Sequence, residues 1–294
     1  MTDDRGRAIS SAAPAKLNLY LHVTGRRADG YHELDSLIAF AAPFDRVSAA
    51  PAKQLSLDLA GPFAQGLAAG DGQNLVEKAA RGLAEIAGIE PAARIVLDKQ
   101  LPVAAGIGGG SSDAAAAIRV LLVLWRLEID SAAIQKLAIS LGADVPMCLH
   151  GRTCFASGIG ERLDAAPVLP DCALVLANPG ISLSTPDVFR ARGGAFSAPA
   201  RFVDAPVDVA ALANLLAERR NDLEAPAKAL APVIEDVMQA LAGLPGSRLA
   251  RMSGSGATCF ALFENVGEAV AAADILRAQH GDWWIAPSRI IQPS

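Results

Sequence analysis

The sequence predicts an α+β protein built from two domains. Its 294 residues exceed what one hydrophobic core usually organises. Strand-period and helix-period segments alternate along the chain. Beyond residue 150 the texture changes, with two Pro-rich stretches, APVLPD and SAPARFVDAPVD, set between the remaining elements. The boundary is therefore placed at residue 152, giving domains of residues 1–152 and 153–294.

In AKLNLYLHV, Leu17, Leu19, Leu21 and Val23 alternate with Lys16, Asn18, Tyr20 and His22, which predicts a strand with one buried face and puts Lys16 and Asn18 on the same side. The loop TGRRADG closes at Asp29-Gly30, and YHELDSLIAF resumes an extended pattern, a hairpin-like return. RIVLDKQL reads as a further strand that Pro102 terminates. From Ser112 to about Leu127 the chain is apolar nearly all round, so this helix is expected to be central and buried. A second helix runs from Ser131, its expected cap, to Leu141, with Gly142 as its stop. CALVLANPG then reads as a strand, and helical segments follow around 208–220 and 226–242. RLARMSGSGATCFALF reads as two strands about a glycine turn, GEAVAAADILRAQ as a helix and WWIAPSRI as a last strand. A strand, strand, helix, strand ending is compatible with a ferredoxin-like half.

Composition excludes several roles. A formal charge of −5 argues against a broad basic surface for nucleic acid or anionic lipid, so an anionic ligand must be held by a few local donors. Arg119 interrupts the longest apolar run, AAAAIRVLLVLW, which is too short for a membrane span. The first residues carry no apolar signal-peptide core. Cys148, Cys154, Cys172 and Cys259 lie far apart and read as buried reduced thiols, which fits a cytoplasmic protein. The four histidines show no metal-ligand spacing, and no protein metal site is expected.

The stretch GIGGGSSDAAAA, residues 106–117, places Gly106, Gly108, Gly109 and Gly110 immediately ahead of a helix. A helix N-terminus leaves backbone N–H groups unpaired and carries partial positive charge. Glycines there permit positive φ and let a phosphate approach the main chain without a Cβ in the way. Ser111 and Ser112 add hydroxyl donors. The build is that of a phosphate cradle, although glycine can also serve only to pack a helix against a sheet. It matches neither the Walker A pattern, since no Gly-Lys-Ser/Thr closes it, nor GxGxxG, since position 111 is Ser.

LPVAAGIGGGSSDAA resembles the phosphate-binding motif of the GHMP kinases, PAKLNLYL their first motif and MSGSGATCFA their third, in the family's order and spread over most of the chain. The resemblance implies the two-domain GHMP kinase fold, with an N-terminal ATP-binding domain, a C-terminal ferredoxin-like substrate domain and the active site in the cleft. GRRADGYHEL, LGADVP and NPGISLSTPDVF are similar to one branch, whose members use ATP to phosphorylate the 2-hydroxyl of a cytidine-diphosphate-linked methylerythritol in non-mevalonate isoprenoid synthesis. Two departures stand out: Ala104 replaces a glycine frequent in the family, and Asp113 stands where Asn is also common.

By resemblance Asp144 is the base and Lys16 the cation that steadies charge on the hydroxyl and the moving phosphoryl group. Read alone, Asp144 is a turn or cap residue past a helix end and Lys16 a solvated strand charge. The cradle is Gly106 to Ser112, and Asn74 and Lys99 match family positions near the ATP base. Asn18 is implied to bind the methylerythritol hydroxyls, Tyr31 and His32 to face the cytidine, and Phe189, in the TPDVF stretch that begins at Thr185, to stack on its other side. The turn Gly254-Ser255-Gly256 is implied to supply main-chain donors near the substrate phosphates. Read alone, Tyr31 and Phe189 are also ordinary core residues, His32 a satisfied polar one, Asn74 and Lys99 surface polar groups, and the stretch from Gly254 a turn between strands. Mg²⁺ is expected to be held mainly by ATP phosphates and water. Two other readings stay open: another GHMP kinase, of mevalonate or homoserine type, which would not need DGYH with a base-stacking partner, and a non-catalytic nucleotide sensor, which would lose the base and the cation.

Overall fold

A computed structural model describes residues 8–65, 67 and 74–291. The elements run β1 (Ile9–Arg26), β2 (His32–Pro51), β3 (Ser56–Ala60), α1 (Leu75–Ala87), β4 (Ala93–Asp98), α2 (Gly109–Leu124), α3 (Ser131–Leu141) and α4 (Val145–His150). They continue with β5 (Cys154–Gly158), β6 (Arg162–Ala165), β7 (Ala173–Asn178), α5 (Thr185–Ala191), α6 (Val209–Ala217), α7 (Glu224–Leu230), α8 (Val233–Ala242), β8 (Leu249–Met252), β9 (Cys259–Phe263), α9 (Val266–Gln279) and β10 (Trp284–Ile291). Contacts group the chain into two units. Unit 1 is Met1–Ala15, Pro43–Val103 and Gly108–His150, and unit 2 is Lys16–Ala42, Ala104–Ile107 and Gly151–Ser294. The glycine stretch itself changes unit between Ile107 and Gly108.

In unit 1, β4 pairs antiparallel with the end of β2, from Arg46↔Asp98 to Pro51↔Ala93, and parallel with β3. Helix α2 is the buried centre: Ala114 to Ile118 are fully enclosed, and Ala114, Ala116, Ala117 and Ile118 join Val47, Ile95, Leu83 and Val145 in one apolar cluster. Its alanines leave little side-chain bulk, so neighbouring elements pack close to its backbone. The helix spans Gly109–Leu124 rather than 112–127, because Gly108 in the left-handed region (φ 62°) starts it earlier. Helix α3 is capped by Asp130, whose carboxylate accepts from the Ala132 N–H, and not by Ser131. A carboxylate in that place also gains from the helix dipole.

In unit 2, β7, β8, β9 and β10 pair antiparallel in the spatial order β10-β7-β9-β8, with helices between β7 and β8 and α9 between β9 and β10. This is the split βαββαβ arrangement expected of a ferredoxin-like half. β10 also pairs with Phe40–Ala42 of β2, and β5 pairs with Leu34–Ile38 of β2. The core gathers Leu21, Val23, Val175, Ile234, Val237, Met252, Phe263 and Leu276. The helical segment expected over 226–242 is two helices, because Pro232 offers no N–H to continue the first. The strand at 16–23 differs more from its expectation: Lys16, Asn18, Tyr20 and His22 are as buried as the leucines between them. A polar strand face can be enclosed when each group finds a partner, and these do.

Candidate active site

The polar face of β1 is wired residue by residue. Lys16 Nζ donates to Asn18 Oδ1 at 2.9 Å, Asn18 Nδ2 donates to Ser36 Oγ on β2 at 2.8 Å, and Ser36 Oγ donates to the Tyr20 carbonyl at 2.5 Å. Further along, the Tyr20 hydroxyl donates to Asp35 Oδ2, and Arg201 Nε donates to Asp35 Oδ1. Burial and the Asp35 carboxylate push the Tyr20 phenol far above its ordinary range, so it stays a donor.

The first half of the glycine stretch is fastened to this strand and to the turn after β8. Lys16 N–H donates to the Ile107 carbonyl, Thr258 N–H to the Ala105 carbonyl, and Ser253 Oγ to the Gly106 carbonyl while accepting from Asn18 N–H. The approach is too close for side chains. A Cβ on Gly106 (φ 74°) would stand 2.5 Å from the Gly256 carbonyl oxygen, and one on Gly254 (φ 55°) 2.8 Å from the Gly106 oxygen. Asn221 Nδ2 ties down the turn by donating to the Met252 and Gly254 carbonyls, and Asn178 Nδ2 donates to Thr258 Oγ1. The Ser255 and Thr185 hydroxyls meet at 2.7 Å. Unit 2 thus brings together Lys16, Asn18, Gly106, Gly254, Ser255, Gly256 and Thr185. Ala104, where the family favours glycine, adopts φ 51°, a strain of about 1–2 kcal/mol for a residue with a Cβ.

The His32 imidazole stacks on the Phe189 ring, centroids 5.0 Å apart and planes within 21°. The two rings lie against each other. Partial burial, then Arg26 and Arg192, hold the His32 pKa below its ordinary value, so the ring is neutral near pH 7. Tyr31 is exposed at the loop tip, where its N–H donates to Asp29 Oδ1.

In unit 1, Gly108 caps α2 and Gly109, Gly110 and Ser111 form its first turn. The Ser112 hydroxyl is turned away to donate to the Pro14 carbonyl at 2.7 Å, which leaves backbone N–H groups and Ser111 as the donors at this helix end. Asn74, expected near the ATP base, caps α1 through Val76 N–H. Lys99, expected there too, is 2% exposed and gives its ammonium to Asp45 and Asp113, the latter at 2.6 Å. Burial alone would lower the Lys99 pKa, but Asp113 and Asp45 hold it above the ordinary value. Burial lifts Asp113 to about 7 against the pull of Lys99, with Asp45 adding to the rise. A Cβ on Gly109 would stand 3.0 Å from Lys99 Nζ, so the triad lies directly under the first turn of α2. Asp144 lies half-buried between α3 and α4, its carbonyl accepting from Cys148 N–H.

Sequence reasoning assigned nothing to Ser36, Asp45, Asn178, Asn221 or Ser253. Ser253 and Asn178 sit inside motifs already quoted, which was a usable signal. Ser36 and Asp45 are single polar residues whose partners lie 18 and 54 positions away.

Two family models match the chain: "GHMP kinases N terminal domain" over residues 74–152 and "GHMP kinases C terminal" over residues 205–282. The chain is 51% identical to the 4-diphosphocytidyl-2-C-methyl-D-erythritol kinase of Rhodospirillum rubrum, with 97% of the chain and 93% of the relative covered. The chain belongs to the GHMP kinase family. This GHMP kinase is also 50% identical to the protein of the same name from Paramagnetospirillum magneticum, covering 97% of the chain and 99% of the relative. A crystal structure of 4-(cytidine 5'-diphospho)-2C-methyl-D-erythritol kinase superposes with a TM-score of 0.78 at 38% identity, over 96% of this chain and 100% of that one. Homoserine kinase from Cytophaga hutchinsonii shares the fold, with a TM-score of 0.72 at 17% identity over 99% and 97% of the two chains. Among the described residues no helix is long and apolar enough to cross a membrane, and all four cysteines are buried.

Proposed function

We propose that this GHMP kinase transfers the γ-phosphoryl group of ATP to the 2-hydroxyl of 4-diphosphocytidyl-2-C-methyl-D-erythritol, a step of non-mevalonate isoprenoid synthesis in the cytoplasm. The observation that carries this reading is identity of about one half over nearly the whole length of relatives bearing that kinase's name, against 17% for the homoserine kinase of the same fold. The pairing of His32 with Phe189 supports it, because a neutral imidazole beside an aromatic face suits a nucleobase. Mevalonate and homoserine present no base to stack.

Phosphoryl transfer asks mainly for positioning and charge stabilisation. The substrate oxygen attacks the γ-phosphorus, the bond to the bridging oxygen of ADP breaks, and the hydroxyl proton passes to the Asp144 carboxylate. Lys16 orients the reacting oxygen and offsets charge on the moving group, with Asn18 beside it. The glycine stretch, Gly106 to Ser111, presents main-chain N–H groups to ATP phosphates, and Gly254, Ser255 and Gly256 present theirs to substrate phosphates. Tyr31, His32, Phe189 and Thr185 form the nucleoside side of the substrate site. We assign Asn74 and Lys99 to shaping the ATP domain, residues 1–152, through the cap of α1 and the support under α2. Residues 153–294 then form the substrate domain, to which Asn18, Tyr31 and His32 are added from the stretch Lys16–Ala42 that groups with it.

Magnesium is implied by kinase chemistry, where it neutralises phosphate charge. The buried carboxylates Asp45 and Asp113 already enclose the Lys99 ammonium, and among the described residues no group of three or more His, Cys, Asp or Glu is arranged to hold a metal ion. These residues do not fit a protein-held divalent cation, and the ion is assigned to ATP phosphates and water.

The test is incubation of the purified chain with ATP and each of three acceptors: the cytidine-diphosphate-linked methylerythritol, mevalonate and homoserine. Phosphorus NMR should show a new phosphomonoester on the first acceptor alone. Turnover of mevalonate or homoserine instead, or of none, would reject the reading.

A further inference from the structure

We infer that Ser36 is a positioning residue for the transfer, acting through Asn18 to fix the Lys16 ammonium. The inference rests on the reading of Lys16 given above, and it follows from the direction of each hydrogen bond in one buried chain. The Tyr20 carbonyl can only accept, so the Ser36 hydroxyl 2.5 Å away must spend its single proton there. Towards Asn18, 2.8 Å away on its other side, Ser36 can then only accept, which requires the amide NH₂ of Asn18 to face it. That fixes the amide flip and turns Asn18 Oδ1 towards Lys16 Nζ at 2.9 Å. The reversed amide would set two donors against the ammonium and leave an acceptor facing an acceptor at Ser36. All four groups are enclosed, with Ser36 only 1% exposed, so water cannot stand in for a missing partner. A fixed carbonyl dipole thus orients the Lys16 ammonium from the Asn18 side. Nothing in the sequence marks Ser36 for this, and its hydroxyl is engaged within the protein on both sides.

The experiment is a double-mutant cycle on steady-state phosphoryl transfer, with Ser36→Ala and Ser36→Thr made in the wild-type and Lys16→Met backgrounds. Misplacing a group that must meet the reacting atoms costs up to about 100-fold, so Ser36→Ala should lower kcat by about 10- to 100-fold in the wild-type background, with both KM values within about two-fold. In the Lys16→Met background it should add almost nothing, because the group it positions is gone. Ser36→Thr keeps the hydroxyl and should retain most of kcat. Ser36→Cys, with only a weak donor and acceptor, serves where Ser36→Ala does not fold, and should show the same dependence on Lys16. An equal fall in kcat in both backgrounds would overturn the inference, as would wild-type kcat in Ser36→Ala. Failure of the wild type to phosphorylate the acceptor would overturn the substrate reading instead. The relay would then be judged by the side-chain amide protons of Asn18, which should exchange slowly in the wild type and rapidly in Ser36→Ala. Equal exchange in the two would overturn it.

Discussion

Two lysines are buried among the described residues, one in each unit, and different hydrogen-bond partners fix them. Lys99 gives its ammonium to two carboxylates, Asp45 and Asp113, in the apolar interior behind α2. Lys16 gives a hydrogen bond to a neutral amide oxygen, that of Asn18, whose other end is anchored on Ser36. A carboxylate pair spends a lysine's charge on holding the protein together. An amide orients the ammonium without itself carrying the opposite charge. The comparison teaches that burial alone does not assign a lysine its role, and that the groups fixing each ammonium have to be read from the fold.

The comparison can be broken most sharply at the proposed base. Asn in place of Asp144 keeps size and hydrogen bonding but takes no proton near pH 7, so Asp144→Asn should lower kcat by about 10²–10⁴, the usual contribution of a positioned base, with substrate binding little changed. Because phosphoryl transfer has a loose transition state, the fall belongs toward the low end. Combined with Lys16→Met, the loss should be far less than the product of the two single losses, because the proposal gives both residues to one proton transfer. Near wild-type kcat in a normally folded Asp144→Asn would leave Asp144 as a helix-end residue.

The second break is at the structural lysine. Lys99→Met abandons two buried carboxylates, and breaking a buried pair in this way costs about 3–5 kcal/mol. Thermal or urea unfolding should register that loss. Similar melting of wild type and Lys99→Met would show the triad to be incidental.

A smaller effect sharpens the same contrast. Asp113 is lifted to about 7 in the folded protein, while an unfolded aspartate releases its proton near pH 3.9. Between those values the folded form binds the extra proton, so its stability falls as pH rises from about 4 to about 7 and levels above that. Asp113→Asn has no such proton to lose. The difference in unfolding free energy between Asp113→Asn and the wild type should therefore shift in favour of the variant across that window, and a pH-independent difference would contradict the account.

How much of this was legible in the sequence depends on the distance between partners. The buried helix α2 was readable because its apolar run is local, and the glycine loop because Gly106 and Gly108 need left-handed backbone that other residues rarely adopt. The split between α7 and α8 was written in Pro232 and could have been read there. The second buried face of β1 was not readable. Alternation of Lys16, Asn18, Tyr20 and His22 with leucines signals a solvated face unless Ser36, Asp35 and the Ala198 carbonyl are known to cover it. The role given to Lys99 by family position met the same obstacle, because Asp45 reaches it from 54 positions away. Motif residues give the places where chemistry happens, and only the fold reveals which charges are already spent.

The most direct measurement is the single-turnover rate of phosphoryl transfer to the cytidine-diphosphate-linked methylerythritol by Lys16→Met and Lys99→Met, each normalised to folded protein at low temperature. The account predicts a fall of about 10²–10⁴ for Lys16→Met and a rate within about ten-fold of wild type for Lys99→Met. A Lys16→Met enzyme at wild-type rate beside a dead but folded Lys99→Met would contradict it, placing the catalytic charge in the triad.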